Sequence, residues 1–157
     1  MQKIVTCLWF DNQAEAAAEY YTSLFENSRV TEVTRFSEAG PGPAGGAMVV
    51  NFELAGQQFT ALNGGPEFKF NEAMSLYVNC ESQAEVDELW GKLIADGGEE
   101  GPCGWLKDKY GVSWQIIPTI LPKLLNDPDP AVAKRVMEAM FKMTKIDIAA
   151  LEAARDG

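Results

Sequence analysis

A chain of 157 residues, 46% hydrophobic and 23% charged, has material for one domain with a sizeable core or for two small modules sharing one. Its formal net charge of −10 at pH 7 disfavours nucleic acid and anionic membrane surfaces, and the scattered Lys and Arg form no segregated basic patch. Histidine is absent, which removes the usual general base near neutral pH, every Ser-His or Cys-His nucleophile pair and the commonest transition-metal ligand.

Met1-Gln2-Lys3 leads directly into an amphipathic strand, with no signal peptide and no run of about 20 apolar residues. Cys7, Cys80 and Cys103 are odd in number and far apart, so neither a disulfide framework nor a CxxC metal site is expected. A reducing cytoplasm is the expected compartment.

In chain order, Lys3 to Phe10 alternates as a strand, with Val5, Cys7 and Trp9 on one face. Asn12, followed by Glu15, opens a helix with a capping-box pattern, and Ala14, Ala17, Ala18, Tyr21, Leu24 and Phe25 form its buried stripe. Val30 to Phe36 is a strand, and the glycine- and proline-rich stretch from Gly40 to Gly46 is a loop. Ala47 to Leu54 and Gln58 to Asn63 are two strands joined by a tight turn at Ala55-Gly56.

The pattern then restarts. Ala73 to Asn79 is a strand, Ser82 and Glu85 make a second capping box, and Val86, Leu89, Trp90, Leu93 and Ile94 form the buried stripe of a second helix. Cys103 to Pro118 reads as a hairpin, with Gly111 at the position that needs a positive φ. On its second strand Val112, Trp114 and Ile116 point one way and Ser113, Gln115 and Ile117 the other. The two helix starts share Gln-Ala-Glu, at Gln13 and at Gln83, which together with the matching element order suggests an internal repeat. The fold expected is α+β, two βαβββ modules (about 1–66 and 67–118) in a curved eight-stranded mixed sheet with a cavity.

Beyond Pro118 the chain turns helical. Ile120 to Leu125 is a short helical segment, and the turn at Asn126 to Pro130 caps a helix over Ala131 to Met143. Asp147 to Arg155 forms a last helix. The apolar line Val132, Val136, Met140 and Met143 marks residues 119–157 as an extension covering the sheet or a partner subunit.

Two stretches, ALNGGPEFKF from Ala61 to Phe70 and GPCGWLKDKYGVSWQIIP from Gly101 to Pro118, carry a family resemblance. The chain resembles the vicinal-oxygen-chelate superfamily of glyoxalases, bleomycin-resistance proteins and extradiol dioxygenases, in its 3-demethylubiquinone-9 3-methyltransferase-like (PhnB-like) branch. The resemblance implies a cup of two βαβββ modules and a homodimer. It also implies four cup-facing positions that hold a metal in metal-using members; by strand position these correspond to Val5, Ala61, Ala73 and Gln115. None can supply a charged ligand. No metal and no cofactor are therefore expected.

The leading expectation is a metal-free cup binding a small apolar or aromatic molecule, lined by Cys7, Trp9, Phe59, Asn63, Ser75, Tyr77, Trp105 and Gln115. Trp90 and Trp114 are assigned to the core. The alternative is an enzyme, either a metal-independent lyase or isomerase or the methyltransferase that the family label implies. The first would draw its acid or base from Glu53, Glu67, Asp108, Tyr77 or Cys7. Against the second, Gly64-Gly65 follows a strand but opens no helix and lacks the downstream acidic partner of a nucleotide-binding loop. A third reading makes the cup vestigial and gives the C-terminal helices the main role, in pairing.

Overall fold

The computed structural model describes residues 2–157. Its chain divides into two compact units, one running up to Phe70 and the other from Asn71 to Gly157, so the C-terminal helices belong with the second. Each unit carries a βαβββ motif, and the eight strands form two mixed sheets of four.

The first unit contains β1 (Thr6–Phe10), α1 (Ala14–Leu24), β2 (Arg29–Arg35), β3 (Ala47–Leu54) and β4 (Gln57–Asn63). Its strand order is β1-β4-β3-β2, with β1 and β4 parallel and the remaining pairs antiparallel. Ala55 and Gly56, with φ of 49° and 82°, make the two-residue turn whose twist matches a hairpin. The buried face places Leu8, Phe10, Val50, Phe52, Phe59 and Ala61 beneath α1, whose Ala14, Ala17, Ala18 and Tyr21 are wholly buried. Each large side chain so buried contributes roughly 1.5–3 kcal/mol.

The N-terminus of α1 differs from expectation. Asn12 does not cap it; Gln13 occupies the capping position without a side-chain bond to the helix. The acceptor comes from across the sheet, where Asn63 Oδ1 takes the Ala14 N–H at 2.8 Å while its Nδ2 donates to the Ala47 carbonyl at 2.9 Å. An amide supplies both the acceptor and the donor these two partners need, whereas an ionised Asp could only accept.

The second unit begins with β5 (Ser75–Cys80) and α2 (Gln83–Ile94). Here the capping reading holds: Ser82 Oγ accepts from Glu85 N at 3.2 Å, and the Glu85 carboxylate reaches back to the Glu81 N–H. Three strands follow, β6 (Glu99–Glu100), β7 (Trp105–Lys107) and β8 (Ser113–Pro118), in the sheet order β5-β8-β7-β6. The two-residue β6 has no hydrophobic alternation and so left no signal in the sequence. Leu106, Trp114 and Ile116 are buried on the same side as α2 residues Val86, Leu89, Trp90 and Leu93.

Three helices complete this unit: α3 (Ile120–Leu125), α4 (Pro130–Met140) and α5 (Ile148–Asp156). Asp129 and Asp147 cap α4 and α5 by accepting backbone N–H groups, with Pro130 at the first turn of α4. The helices pack around Ile117, Leu121, Leu124, Val136, Ile146 and Leu151, with Val132, Met140 and Met143 at the edge of the cluster. Ile117 is an open-face residue of β8, so these helices cover one end of the sheet face opposite α2.

Candidate functional site

That partial cover creates a cleft. On the open face, β5, β8 and β7 bring Tyr77, Gln115 and Trp105 side by side, because Tyr77 pairs with Gln115 and Gln115 with Trp105 across the ladders. Where the helices stop short of this face, a space of about 390 Å³ remains, closed on the far side by Leu121, Met140 and Phe141. Every residue lining it is uncharged.

The polar groups in the cleft are few and held in place. Gln115 Nε2 donates to Ser75 Oγ at 3.0 Å, which leaves its amide oxygen as an acceptor. Partial desolvation pushes the half-exposed Tyr77 phenol up, so it remains a neutral donor. Cys103, at φ 57°, and Gly104 tie this wall to the loop after α4, their N–H groups donating to the Met143 and Thr144 carbonyls at 2.8 Å each. Gly104 has no room for a side chain, since a Cβ would lie 2.8 Å from Ile117 Cδ1.

The lining residues read from the sequence thus separate into groups. Tyr77, Trp105, Gln115 and Ser75 share one face, as their alternation predicts. Cys7 and Trp9 share the open face of the first sheet, where the ladder pairs them with Thr60 and Leu62. Phe59 and Asn63 do not join them. The register places these two beside Thr6 and Phe10 on the face under α1, where Phe59 stacks on Phe52 with centroids 5.4 Å apart. A difference of one residue in phase turns a strand's other face outward, so Phe59 and Asn63 lie on the α1 side and not on the open face with Cys7 and Trp9.

Trp9 has a packing role. Its Nε1 donates to the Gly65 carbonyl at 2.9 Å, its ring meets Phe68 edge-on, and a Cβ on Gly64 would overlap its indole. Gly64 therefore makes room for the tryptophan, and the Gly65 carbonyl accepts its indole N–H. β4 ends at Asn63 and no helix follows before β5, so Gly64-Gly65 lack the strand-to-helix setting that holds a nucleotide-like group.

The acid–base candidates are placed as follows. Asp108 is buried, its carboxylate accepting from the Tyr110 and Val112 N–H groups and from Trp114 Nε1. It organises the β7–β8 turn. Glu53 faces Arg29 at 3.5 Å, and Glu67 is exposed on the loop after β4. Partial burial raises the Cys7 thiol, and burial with nearby Glu85 and Glu81 pushes Cys80 up to about 12.

The metal that the resemblance implies does not fit these residues. Val5 and Ala73 lie outside the strands, and Ala61 is buried with the core beneath α1. Gln115 alone faces the open side, and it is neutral. Among the described residues no group of three or more Cys, Asp or Glu is arranged to hold a metal ion.

The sequence did not point to Cys103, Leu121, Met140 and Phe141 as lining. For Leu121, Met140 and Phe141 an apolar residue at helical spacing signals burial equally well, and only the packing of α3 and α4 separates those facing the core from those facing the cleft. Cys103 lies in the turn before β7, where no periodicity marks it.

The profile of the family described as 3-demethylubiquinone-9 3-methyltransferase matches residues 2–117. The chain belongs to this family. Among solved structures, a putative 3-demethylubiquinone-9 3-methyltransferase, PhnB protein, from Bacillus cereus is 41% identical with a TM-score of 0.69, covering 75% of this chain and 100% of its own. Protein PA1353 from Pseudomonas aeruginosa shares the fold at 20% identity and a TM-score of 0.61, covering 75% and 98%. A glyoxalase/bleomycin resistance protein from Albidiferax ferrireducens is 14% identical with a TM-score of 0.46, covering 72% and 95%. No curated protein gives a significant match. Among the described residues no helix is long and apolar enough to cross a membrane.

Proposed function

We propose that this protein binds a small, uncharged apolar or aromatic molecule without a metal, in the cleft between the open face of its second sheet and helices α3 and α4. The observation that carries the reading is the convergence of Tyr77, Trp105 and Gln115 from three strands on a space of about 390 Å³ with no charged lining. Apolar walls supply the driving force, while one amide and one phenol fix orientation, the usual composition of a small-molecule site. The absence of charge favours a neutral ligand, because an ion entering would lose its hydration without compensation.

The family description names a methyl transfer. The glycine pair is explained by Trp9, and the cleft is lined by no carboxylate, lysine or arginine to act as acid or base, so binding is favoured over turnover.

The test is titration with N-phenyl-1-naphthylamine, a neutral dye whose fluorescence rises in apolar sites. Saturable binding is expected, unaffected by EDTA, and weakened several-fold in Phe141→Ala and Tyr77→Ala. Both side chains are substantially exposed, so the fold should survive their removal. Wild-type affinity in both variants, or no saturable signal, would overturn the proposal.

A further inference from the structure

A second cleft of about 390 Å³ lies on the same sheet, beyond Trp105 and toward the β6 edge, and the two clefts share Trp105 and Pro102 as walls. Ser113 lines it. This serine is 1% exposed, and its Oγ is a buried polar side-chain atom without a hydrogen-bond partner.

Its neighbours are otherwise engaged. Ser75, opposite it on β5, accepts from Gln115 Nε2, and Lys107, opposite it on β7, is ion-paired with Glu72. A buried hydroxyl with no partner destabilises the fold, so a serine held there with no structural return invites a ligand. Around the rim Glu72, Glu99 and Glu100 outnumber Lys107, and the Glu100 carboxylate also accepts the Trp90 indole N–H at 2.7 Å. That balance repels carboxylates and phosphates.

We infer that this cleft is a separate binding site for a compact, uncharged aromatic molecule carrying a hydroxyl group, whose ring lies against Trp105 and whose hydroxyl bonds to Ser113 Oγ. The inference does not rest on the cleft of Tyr77 and Phe141, and the two are separable by experiment.

The test is an amide-resolved NMR titration of the full chain at pH 7 with 2-naphthol, and with 2-naphthoate as the anionic comparison. Saturable shifts centred on Ser113 and the Trp105 indole are expected with 2-naphthol, with 2-naphthoate at least tenfold weaker. Ser113→Ala should weaken 2-naphthol roughly tenfold, while its thermal midpoint holds or rises by a few degrees because an unpaired group has gone. Phe141→Ala should leave these shifts intact even where it abolishes dye binding in the first cleft. Wild-type affinity in Ser113→Ala, a lowered midpoint in that variant, equal binding of the naphthoate, or loss of the Ser113-centred shifts in Phe141→Ala would each overturn the inference.

Discussion

Trp114 Nε1 donates to Asp108 Oδ2 at 2.9 Å, and both residues are almost wholly buried. The other carboxylate oxygen, Oδ1, accepts the N–H groups of Tyr110 and Val112 at 2.8 and 3.1 Å, so a single side chain fastens the β7–β8 turn to the core beneath α2. Gly111, at φ 88°, lets the chain reverse around that carboxylate. Asp108→Ala would remove the acceptor that these three donors share and should destabilise the protein by about 2–4 kcal/mol. Urea denaturation monitored by tryptophan fluorescence reads the change; a midpoint within error of wild type would refute this role. Asp108→Asn keeps one carbonyl acceptor and should lose about half as much.

Asn63 carries a comparable duty in the first unit, linking the start of α1 to the Ala47 carbonyl on β3. Replacing it with Ala should cost about 2 kcal/mol, the combined effect of a lost helix cap and a lost interstrand tie. Asp at this position retains the acceptor for Ala14 and loses only the donor, so it should fall between wild type and Ala. Equal stability of the Asp and Ala variants would show that the cap contributes nothing.

Gly64 and Trp9 should behave as a coupled pair. Gly64→Ala drives a methyl group into the indole and is expected to cost about 1–3 kcal/mol, the range for overpacking. Trp9→Leu removes the obstacle along with its own packing. A double-mutant cycle should therefore give less than the sum of the two single losses, with a coupling above about 0.5 kcal/mol. Strict additivity would disprove the contact.

The cysteines should label in a fixed order. Cys7 is exposed, Cys103 partly so and Cys80 buried. Iodoacetamide should modify Cys7 first and reach Cys80 only after denaturant is added. Since partial desolvation beside the sheet holds the Cys7 thiol above its ordinary value, less thiolate forms at a given pH. Its labelling rate should be slow at neutral pH and keep rising with pH past about 8.5, where a free cysteine begins to level off. Mass-spectrometric time courses check both points. Early modification of Cys80 in native buffer would contradict its burial.

Much of the second unit was legible in the sequence. On β8, Trp114 and Ile116 alternate with Ser113 and Gln115, and the large apolar set can face only a core, which fixes where Gln115 points. The apolar line Val132, Val136, Met140 and Met143 likewise lies in or against the cluster around Ile117. The first unit was harder. Phe59 and Leu62 are both apolar, so either phase of β4 gives a plausible buried face, and only pairing with β1 chooses between them. Asn63 misled for a related reason: an amide near a strand end reads as a ligand group until its two backbone partners, 49 and 16 residues away, are known.

The strand orders have a consequence for the timing of synthesis. In each sheet the last strand made is an inner one: β4 lies between β1 and β3, and β8 between β5 and β7. β1 therefore has no sheet neighbour until residues 57–63 have left the ribosome, and β5 none until residues 113–118 have followed. Until then each nascent half presents β1 or β5 as a strand with no sheet partner. Such contacts, distant in sequence, form slowly and expose the chain to wrong pairings. Slow-codon stretches or a chaperone should matter most just before those two inner strands emerge.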